Sequence, residues 1–176
     1  ICNVPLMGIG NQPIDDGNYL FTKEEMEEFI KLEPKSEQYF RPWYGAVEFI
    51  QQKPRYCLWL GGCSPSELRS MPYCMERVKN VRAFRLASKR TGTQKLAETP
   101  THFLVENMPE SSYIIIPSVS SENRKYIPMG FMGNDTMASN LVLIIPNGSI
   151  YHFGILTSAM HMAWTKCVCG RLKSDF

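Results

Sequence analysis

The sequence predicts an α+β fold, with N-terminal helices followed by a mostly antiparallel sheet and a C-terminal helix. Helix-start signals cluster in the first half, short β-branched or aromatic runs follow from His102, and a hydroxyl residue precedes a last apolar-faced segment. The 176 residues are 44% hydrophobic and 20% charged, which is typical of a globular protein and excludes wholesale disorder. Because the chain opens at Ile1 rather than Met, we expect residues 1–176 to be a single domain of a longer polypeptide.

The first helix and the first strand have clear local signals. Thr22 followed by Glu25 forms a capping box, and Pro34 ends the helix that this box begins. Gly45–Gln52 is a second short helix candidate. Arg55–Leu60 is rich in β-forming residues and predicts a strand.

Two further helices are expected before residue 90. Ser64, Pro65 and Glu67 supply a cap, a proline at the first helical position and an acid at the third. Pro72 stops or kinks that helix, and another helix runs from about Tyr73 to Ala87.

The second half predicts a sheet and a final helix. The expected strands are His102–Val105, Tyr113–Ile116, Tyr126–Phe131, Leu141–Ile145 and Tyr151–Leu156. Thr157 or Ser158 then caps a helix that Gly170 ends. Its shared face consists of Met160, Ala163, Trp164 and Cys167.

Charge is unevenly distributed along the chain although the net charge is only +2. Residues 1–50 carry 4 basic and 9 acidic side chains, net −5, whereas residues 51–176 carry 15 and 8, net +7. We therefore expect a polarised domain that presents a basic side to a partner.

The sequence indicates a cytoplasmic protein. Thr136–Thr165 has no Asp, Glu, Lys or Arg, but a turn at Pro146–Ser149 divides it into two elements rather than a membrane span. Ile1–Gly10 has no signal-peptide pattern. The six cysteines have no small-scaffold spacing and are expected to be reduced thiols.

A basic segment, Arg77–Lys95, contains seven basic residues and no acid. At 100° per residue, Arg82, Arg85 and Lys89 fall within a narrow arc that could line up against phosphates. The alternative is a solvated helix face, and the amphipathic pattern is imperfect because Val78 lies within the arc.

A polar loop, Ser118–Tyr126, separates two of the expected strands. Its hydroxyl, carboxylate, amide and guanidinium groups are the types that contact base edges and phosphates. An ordinary polar connection between strands is the alternative.

Signals for catalysis are weak. Cys167 and Cys169 have no second pair at zinc-ligand spacing, and no metal site is expected. The three histidines, His102, His152 and His161, could supply a Cys–His nucleophile pair, but nothing local orients one. The sequence contains neither a Walker loop nor a Gly-x-Gly-x-x-Gly motif after a strand, the two glycine-rich patterns that bind phosphate.

Several segments occur together in a characteristic order. They are Pro13–Gly17, Arg41–Ala46, Arg55–Leu60, Ser66–Arg69, Arg77–Arg85, Ser120–Phe131, Phe153–Leu156, Ser158–Trp164 and Cys169–Asp175. The set resembles the target recognition domain of MmeI-like and YeeA-like DNA methyltransferases, which are large single-chain restriction–modification enzymes, and the resemblance covers nearly the whole chain.

The resemblance implies a division of labour within a parent enzyme. In the family, a separate domain binds S-adenosylmethionine and methylates the adenine amino group through an Asn-Pro-Pro-Phe/Tyr motif, and a nuclease domain cuts DNA in many members. This sequence has neither motif, so no catalytic residue and no cofactor are expected within it. The expected partners are double-stranded DNA, read through the major groove, and the parent's methyltransferase domain in cis, with no membrane.

The resemblance also assigns roles to the two polar regions. Arg82, Arg85, Lys89 and Arg90 are expected to neutralise phosphates, and Ser121, Glu122 and Arg124 to read base edges or to brace the readers. Arg171 and Lys173 are candidates for backbone contacts, and the acidic first fifty residues are expected to face away from DNA.

Two alternatives remain for the function. The chain could be an interaction domain whose last helix docks on a partner, or a Cys/His hydrolase fragment. We expect Met160, His161 and Trp164 to pack in the core and also to dock on the methyltransferase domain.

Overall fold

The computed structural model describes residues 4–170, which contain helices and antiparallel strands and confirm the α+β class. The α-helices are α1 (Lys23–Leu32), α2 (Ala46–Gln51), α3 (Pro65–Arg69), α4 (Pro72–Leu86), α5 (Thr91–Lys95), α6 (Ile150–Leu156) and α7 (Ala159–Val168). The strands are β1 (Gly8–Ile9), β2 (Leu20–Phe21), β3 (Phe40–Tyr44), β4 (Arg55–Leu58), β5 (Tyr113–Pro117), β6 (Gly130–Met132), β7 (Met137–Ala138) and β8 (Val142–Pro146). Short 3-10 helices occupy Pro34–Tyr39 and Leu96–Glu98.

The chain divides into two compact units, which we call the helical unit and the sheet unit. The helical unit contains residues 11–43 and 53–106, and the sheet unit contains residues 4–10, 44–52 and 107–170. The boundary between the units differs from the boundary between the acidic residues 1–50 and the basic residues 51–176, because residues 11–43 and 53–106 share one unit. That residues 1–176 act as a single recognition domain remains a prediction.

The helical unit is built around aromatic side chains. Its strands pair antiparallel in the order β2-β4-β3, with Leu20 opposite Cys57 and Phe40 opposite Leu58. Phe21, Phe29 and Phe40 meet edge to face with ring centroids 5.2–6.0 Å apart, which attaches α1 to the strands.

Local capping explains where the helices of this unit begin. The Thr22 hydroxyl accepts from the Glu25 N–H while the Glu25 carboxylate accepts from the Thr22 N–H. Ser64 and Glu67 repeat this arrangement at the start of α3. Both capping boxes were predicted, and both are confirmed because the bonds lie within four consecutive residues.

The sheet unit has an antiparallel sheet of order β1-β8-β5-β6. Every residue of β5 is buried, because both faces of this strand are covered. One face joins a cluster with Phe49, Val142 and Ile144. On the other, Ile114, Ile116 and Ile145 pack against Phe153 and Leu156 of α6. Covering by helices on both faces makes β5 an apolar run without polar alternation.

Two of the expected strands are wrong. Tyr151–Leu156 lies in α6, since Asn147 at φ 56° and Gly148 turn the chain and Ser149 caps a helix that covers the sheet. His102–Val105 forms only an isolated bridge between Val105 and Gln12. In both places tertiary packing of aromatic side chains overrides their local β preference.

A third expected strand is shorter than predicted. Tyr126–Phe131 is extended into the sheet only from Gly130, where β6 pairs with β5. Pro128 lacks the N–H that a ladder position requires, so pairing begins beyond it. The irregular segment between β5 and β6 is correspondingly long.

Candidate nucleic-acid interface

The exposed cations of the basic segment lie on α4 and around α5. Pro72 begins α4, and the helix buries Cys74, Val78 and Val81, which directs Arg82 outward. Lys89 and Arg90 lie between α4 and α5 and are exposed as well. Within the described residues, the side chains of Arg82, Lys89 and Arg90 have no hydrogen-bond or ion-pair partner. They are therefore available to an anionic ligand.

Arg85 differs from the other three because its side chain is 0% exposed. All five of its N–H donors point at main-chain carbonyl oxygens, at 2.8–3.1 Å. The acceptors are the carbonyls of Pro13, Ile14, Leu96, Thr99 and His102. Burial lowers the pKa of Arg85, while nearby Tyr19 and Asp15 act in the opposite direction.

The expectation that Arg85 neutralises a phosphate is therefore wrong. A guanidinium with no free donor cannot also grip an anion, and its position in the interior keeps phosphates away. Arg85 instead ties three main-chain segments to α4. Helical geometry carries the signal that sequence reasoning missed: seven residues advance by 700°, so Arg85 shares a line with the buried Val78.

Arg77 of the same segment also has a structural contact. Its guanidinium lies 4.7 Å from the ring centroid of Phe21 and 5.6 Å from that of Phe29, and it donates to the Asn18 carbonyl at 3.2 Å. These contacts join α4 to the aromatic cluster under α1. The basic segment thus has an inward part, Arg77 and Arg85, and an outward part that includes Arg82.

The polar loop occupies the segment between β5 and β6. Ser121 forms its turn, because its hydroxyl accepts from the Asn123 N–H at 3.3 Å and its carbonyl accepts from the Arg124 N–H at 3.0 Å. Glu122 is exposed at the turn, whereas the side chains of Ser121 and Arg124 are half-buried. The turn therefore brings Ser121, Glu122 and Arg124 together on a few residues of chain.

The ends of the loop are anchored differently. Ser120 is 1% exposed, and its hydroxyl has no hydrogen-bond partner in the part of the chain that the structure describes. Lys125 lies 5.5 Å from the ring centroid of Tyr126, and the Ile127 N–H donates to the Met162 Sδ of α7 at 3.4 Å. A buried serine and a contact with α7 thus flank the exposed turn.

The predicted contact residues fall in different units. Arg82, Lys89 and Arg90 belong to the helical unit, and Ser121, Glu122 and Arg124 belong to the sheet unit. The acidic residues of α1 also lie in the helical unit, which carries 14 basic and 12 acidic side chains, net +2. The charge division of the sequence is therefore not a division between the units, and the orientation of the acidic residues toward DNA remains a prediction.

The last helix exposes two of the side chains that were expected in the core. Ser158 caps α7 through its hydroxyl, which accepts from the His161 N–H at 3.1 Å. Met162 and Thr165 are buried, whereas Met160 and Trp164 are exposed and His161 is half-buried. The core role expected for Met160 and Trp164 is wrong, because the inward face of α7 runs through Met162 instead.

No group of three or more His, Cys, Asp and Glu side chains could hold a metal ion within residues 4–170. Burial raises the pKa of Cys74 to about 12 and that of Cys57 well above its usual range, so both thiols stay protonated at neutral pH. His152 accepts from the Ser149 N–H through Nδ1 at 3.0 Å and thereby caps α6.

Two expectations remain, one for the basic residues near the C-terminal end and one for a membrane span. Arg171 and Lys173, predicted to contact the DNA backbone, lie outside the described residues. Among the helices that the structure describes, none has the length and apolar character needed to cross a membrane.

Comparisons with known proteins cover the whole chain. The family model described as "MmeI, target recognition domain" matches residues 1–176. The chain is 44% identical to DNA methyltransferase A of Bacillus subtilis (strain 168) over 176 residues, which is 100% of this chain and 20% of that protein. It also matches a solved structure of the Type IIL restriction–modification enzyme MmeI in complex with DNA, with a TM-score of 0.96 and 45% identity. That match covers 99% of this chain and 23% of the other, so the chain spans about a fifth of the length of these relatives.

Proposed function

Because this chain belongs to the MmeI target recognition domain family, we propose that it reads the DNA site for a longer methyltransferase. In this proposal the chain binds double-stranded DNA and contributes no reacting group. The parent polypeptide supplies S-adenosylmethionine binding and methylates the adenine amino group in another domain. The parent is a cytoplasmic restriction–modification protein, and the methyltransferase domain is the partner of this chain in cis.

The observation that best supports the proposal is the outward part of the basic segment. Arg82, Lys89 and Arg90 are exposed cations with no partner among the described residues, and Arg85 fixes from within the helix that carries Arg82. Side chains of this kind can approach phosphates without first breaking an internal bond. We assign them to the DNA backbone, and Arg85 to the positioning of the helix that carries Arg82.

The turn of the polar loop is the proposed site of base reading. An exposed carboxylate at Glu122 suits the amino group of cytosine, and the guanidinium of Arg124 suits the O6 and N7 of guanine. Ser121 holds the turn through its hydroxyl and carbonyl, so we assign it to bracing these two side chains. Phosphate contacts by the helical unit and base contacts by the loop are then separate contributions to one complex.

Salt-dependent DNA binding tests the phosphate assignment. The full-length protein is titrated against a fluorescent 30-base-pair duplex of mixed sequence at several salt concentrations, as wild type and as Arg82→Ala/Lys89→Ala/Arg90→Ala. We expect the slope of log affinity against log salt to become shallower by about 3, since each lost phosphate contact removes roughly 0.9.

A matched triple variant controls for the loss of three positive charges. Lys23, Lys31 and Lys53 are exposed lysines of the same unit outside the basic segment. Lys23→Ala/Lys31→Ala/Lys53→Ala should leave the slope near its wild-type value. Equal slopes for the two triple variants would contradict the assignment, because the effect would then follow net charge alone.

A further inference from the structure

Positive charge in the sheet unit is concentrated in the polar loop. Among the described residues of this unit, the lysine and arginine side chains are those of Arg124, Lys125 and Lys166. Two of these three cations are therefore neighbours in the loop. The proposed function assigns Arg124 to a base edge and gives Lys125 no role. Lys125 is thus a cation of the polar loop that base reading leaves unused.

The ammonium of Lys125 is oriented but not neutralised. Its side chain is exposed and has no hydrogen-bond or ion-pair partner within residues 4–170. Its Nζ lies 5.5 Å from the ring centroid of Tyr126, which is within the distance of about 6 Å over which an aromatic ring attracts a cation. At an exposed site such a contact contributes only about 0.5–1 kcal/mol and leaves the positive charge in place. The N–H donors of the ammonium can therefore still bind an anion.

Tyr126 stands beside a firmly packed residue of the chain. The side chain of Ile127 packs against a buried cluster that includes Ile114 and Ile116, and its N–H donates to the Met162 Sδ at 3.4 Å. Tyr126 itself is 40% exposed, and its hydroxyl has no hydrogen-bond partner in the described part of the chain. A phenolic hydroxyl is one of the side-chain donors that contact phosphate oxygens. The ring and the ammonium together thus present two kinds of donor next to a fixed main-chain position.

The spacing of these residues suits the edge of a DNA groove. Lys125 follows Glu122 by three residues, which span at most about 11 Å of extended chain. The major groove is about 12 Å wide, so a loop that places Glu122 and Arg124 at base edges also brings Lys125 close to the backbone that borders them. An ammonium is a compact point charge without the planar fork of arginine, and it binds phosphate in that form. The position and the chemistry of Lys125 therefore both indicate a phosphodiester.

We propose that Lys125 and Tyr126 form a phosphate-binding pair, which anchors the polar loop on the DNA backbone beside the bases that it reads. The ligand is a phosphodiester of double-stranded DNA. The ammonium of Lys125 supplies the charge, and Tyr126 orients it and donates a second hydrogen bond through its hydroxyl. This inference rests on the proposed function, because it takes the chain to bind DNA. It adds a sequence-independent contact within the sheet unit, separate from those of Arg82, Lys89 and Arg90.

The salt dependence of DNA binding tests the charge of the pair. Full-length wild type, Lys125→Ala and Lys31→Ala are titrated against the same fluorescent 30-base-pair duplex at several salt concentrations. Lys125→Ala should make the slope of log affinity against log salt shallower by about 0.9, the value of one phosphate contact. Lys31 is an exposed lysine of the helical unit, and its loss should leave the slope at the wild-type value. A wild-type slope in Lys125→Ala would overturn the inference.

Variants of Tyr126 test whether the two side chains act together. Tyr126→Phe keeps the ring and removes the hydroxyl, and it should weaken DNA binding roughly two- to tenfold, as the loss of one hydrogen bond does. Tyr126→Ala also removes the ring that orients the ammonium and should weaken binding further. Lys125→Ala should therefore cost less affinity in the Tyr126→Ala background than in the wild type. Equal costs in the two backgrounds would show that the side chains act independently, and the proposed pair would be wrong.

Base preference separates an anchor from a reader. In methylated products from a library of randomised sites, Lys125→Ala should lower methylation of all sites by a similar factor and keep the preferred bases, because a phosphate contact carries no sequence information. A changed base preference in Lys125→Ala would overturn the inference. Failure of the inference also differs from failure of the proposed function. In the first case the wild type binds DNA with a salt-dependent affinity that Lys125→Ala shares, and in the second the wild type shows no such binding.

Discussion

The two regions proposed to contact DNA are built in different ways. In the helical unit, Arg82 stands on a regular helix whose inner side Arg85 ties to three main-chain segments. In the sheet unit, Glu122 and Arg124 stand on an irregular turn that a few local bonds of Ser121 hold. Regular geometry fixes where a helical side chain points, whereas a loop side chain depends on its particular turn contacts. The helical region therefore suits sequence-independent phosphate contacts, and the loop suits contacts that differ between relatives.

The contrast is sharpest between two arginines of one helix. Arg82 and Arg85 are three residues apart and have the same chemistry, yet one is exposed without a described partner and the other is fully buried with every donor used. A count of basic residues treats them alike. Burial decides that only Arg82 is available to a ligand.

The largest expected effect is on Arg85. Arg85→Ala removes five hydrogen bonds to main-chain carbonyl oxygens and a fully buried side chain, which should destabilise the helical unit by about 3 kcal/mol or more. Hydrogen–deuterium exchange of the full-length variant should rise in peptides covering residues 96–102. Arg85→Lys should lie between wild type and Arg85→Ala, because an ammonium has three donors instead of five.

Arg82→Ala is the control for this prediction. Since Arg82 is exposed, its loss should change the stability of the helical unit by no more than about 0.5 kcal/mol. If hydrogen–deuterium exchange of residues 96–102 were no faster in Arg85→Ala than in Arg82→Ala, the hydrogen bonds of Arg85 would not hold these residues in place. The contrast between the two arginines would then fail.

An intermediate effect is expected at Glu122 and Arg124. Glu122→Ala and Arg124→Ala should each relax the preference at one base pair of the site by about 1–3 kcal/mol, because a base-edge bond is lost while the phosphate contacts stay. Sequencing of methylated products from a library of randomised sites measures this preference. Arg82→Ala, assayed in parallel, should weaken methylation of all sites by a similar factor.

The opposite pattern would reverse the comparison of the two regions. If Arg82→Ala changed the preferred bases and Arg124→Ala lowered methylation of all sites equally, α4 would contact the base edges and the polar loop would contact the phosphates. An unchanged site preference in both loop variants would remove Glu122 and Arg124 from base reading.

Features that depend on local residues could be predicted from the sequence, whereas features that depend on long-range packing could not. The capping boxes at Thr22 and Ser64 were predicted, because each lies within one turn of chain and needs no tertiary information. α6 was not, since an aromatic and β-branched segment has a local preference for strand and becomes helical by covering the sheet. Local signals determine where helices begin, whereas long-range packing determines whether an apolar segment becomes a strand or a helix.

The site residues divide in the same way between local signals and long-range packing. The basic segment could be identified by composition, but the burial of Arg85 depends on carbonyls at residues 13–14 and 96–102 that sequence reasoning cannot bring together. The one available signal was Val78, an apolar residue within the basic arc, which marks the inward side of α4. The Ser121 turn has no periodic signal, and its geometry comes only from the fold.

The smallest expected effect concerns Ser120 at the base of the loop. Its hydroxyl is buried and has no hydrogen-bond partner among residues 4–170, so we expect the native state to bear the desolvation of this polar group. Ser120→Ala should leave the sheet unit equally stable or more stable by up to about 1 kcal/mol, and should leave the site preference unchanged. Pulse proteolysis of the full-length variant measures the stability, with the exposed Ser118→Ala as the matched control. Destabilisation of more than about 1 kcal/mol would mean that the hydroxyl has a partner in the protein. A changed base preference would instead extend the reading surface from the exposed turn into the buried base of the loop, where a hydroxyl would gain its missing bond only when DNA is bound.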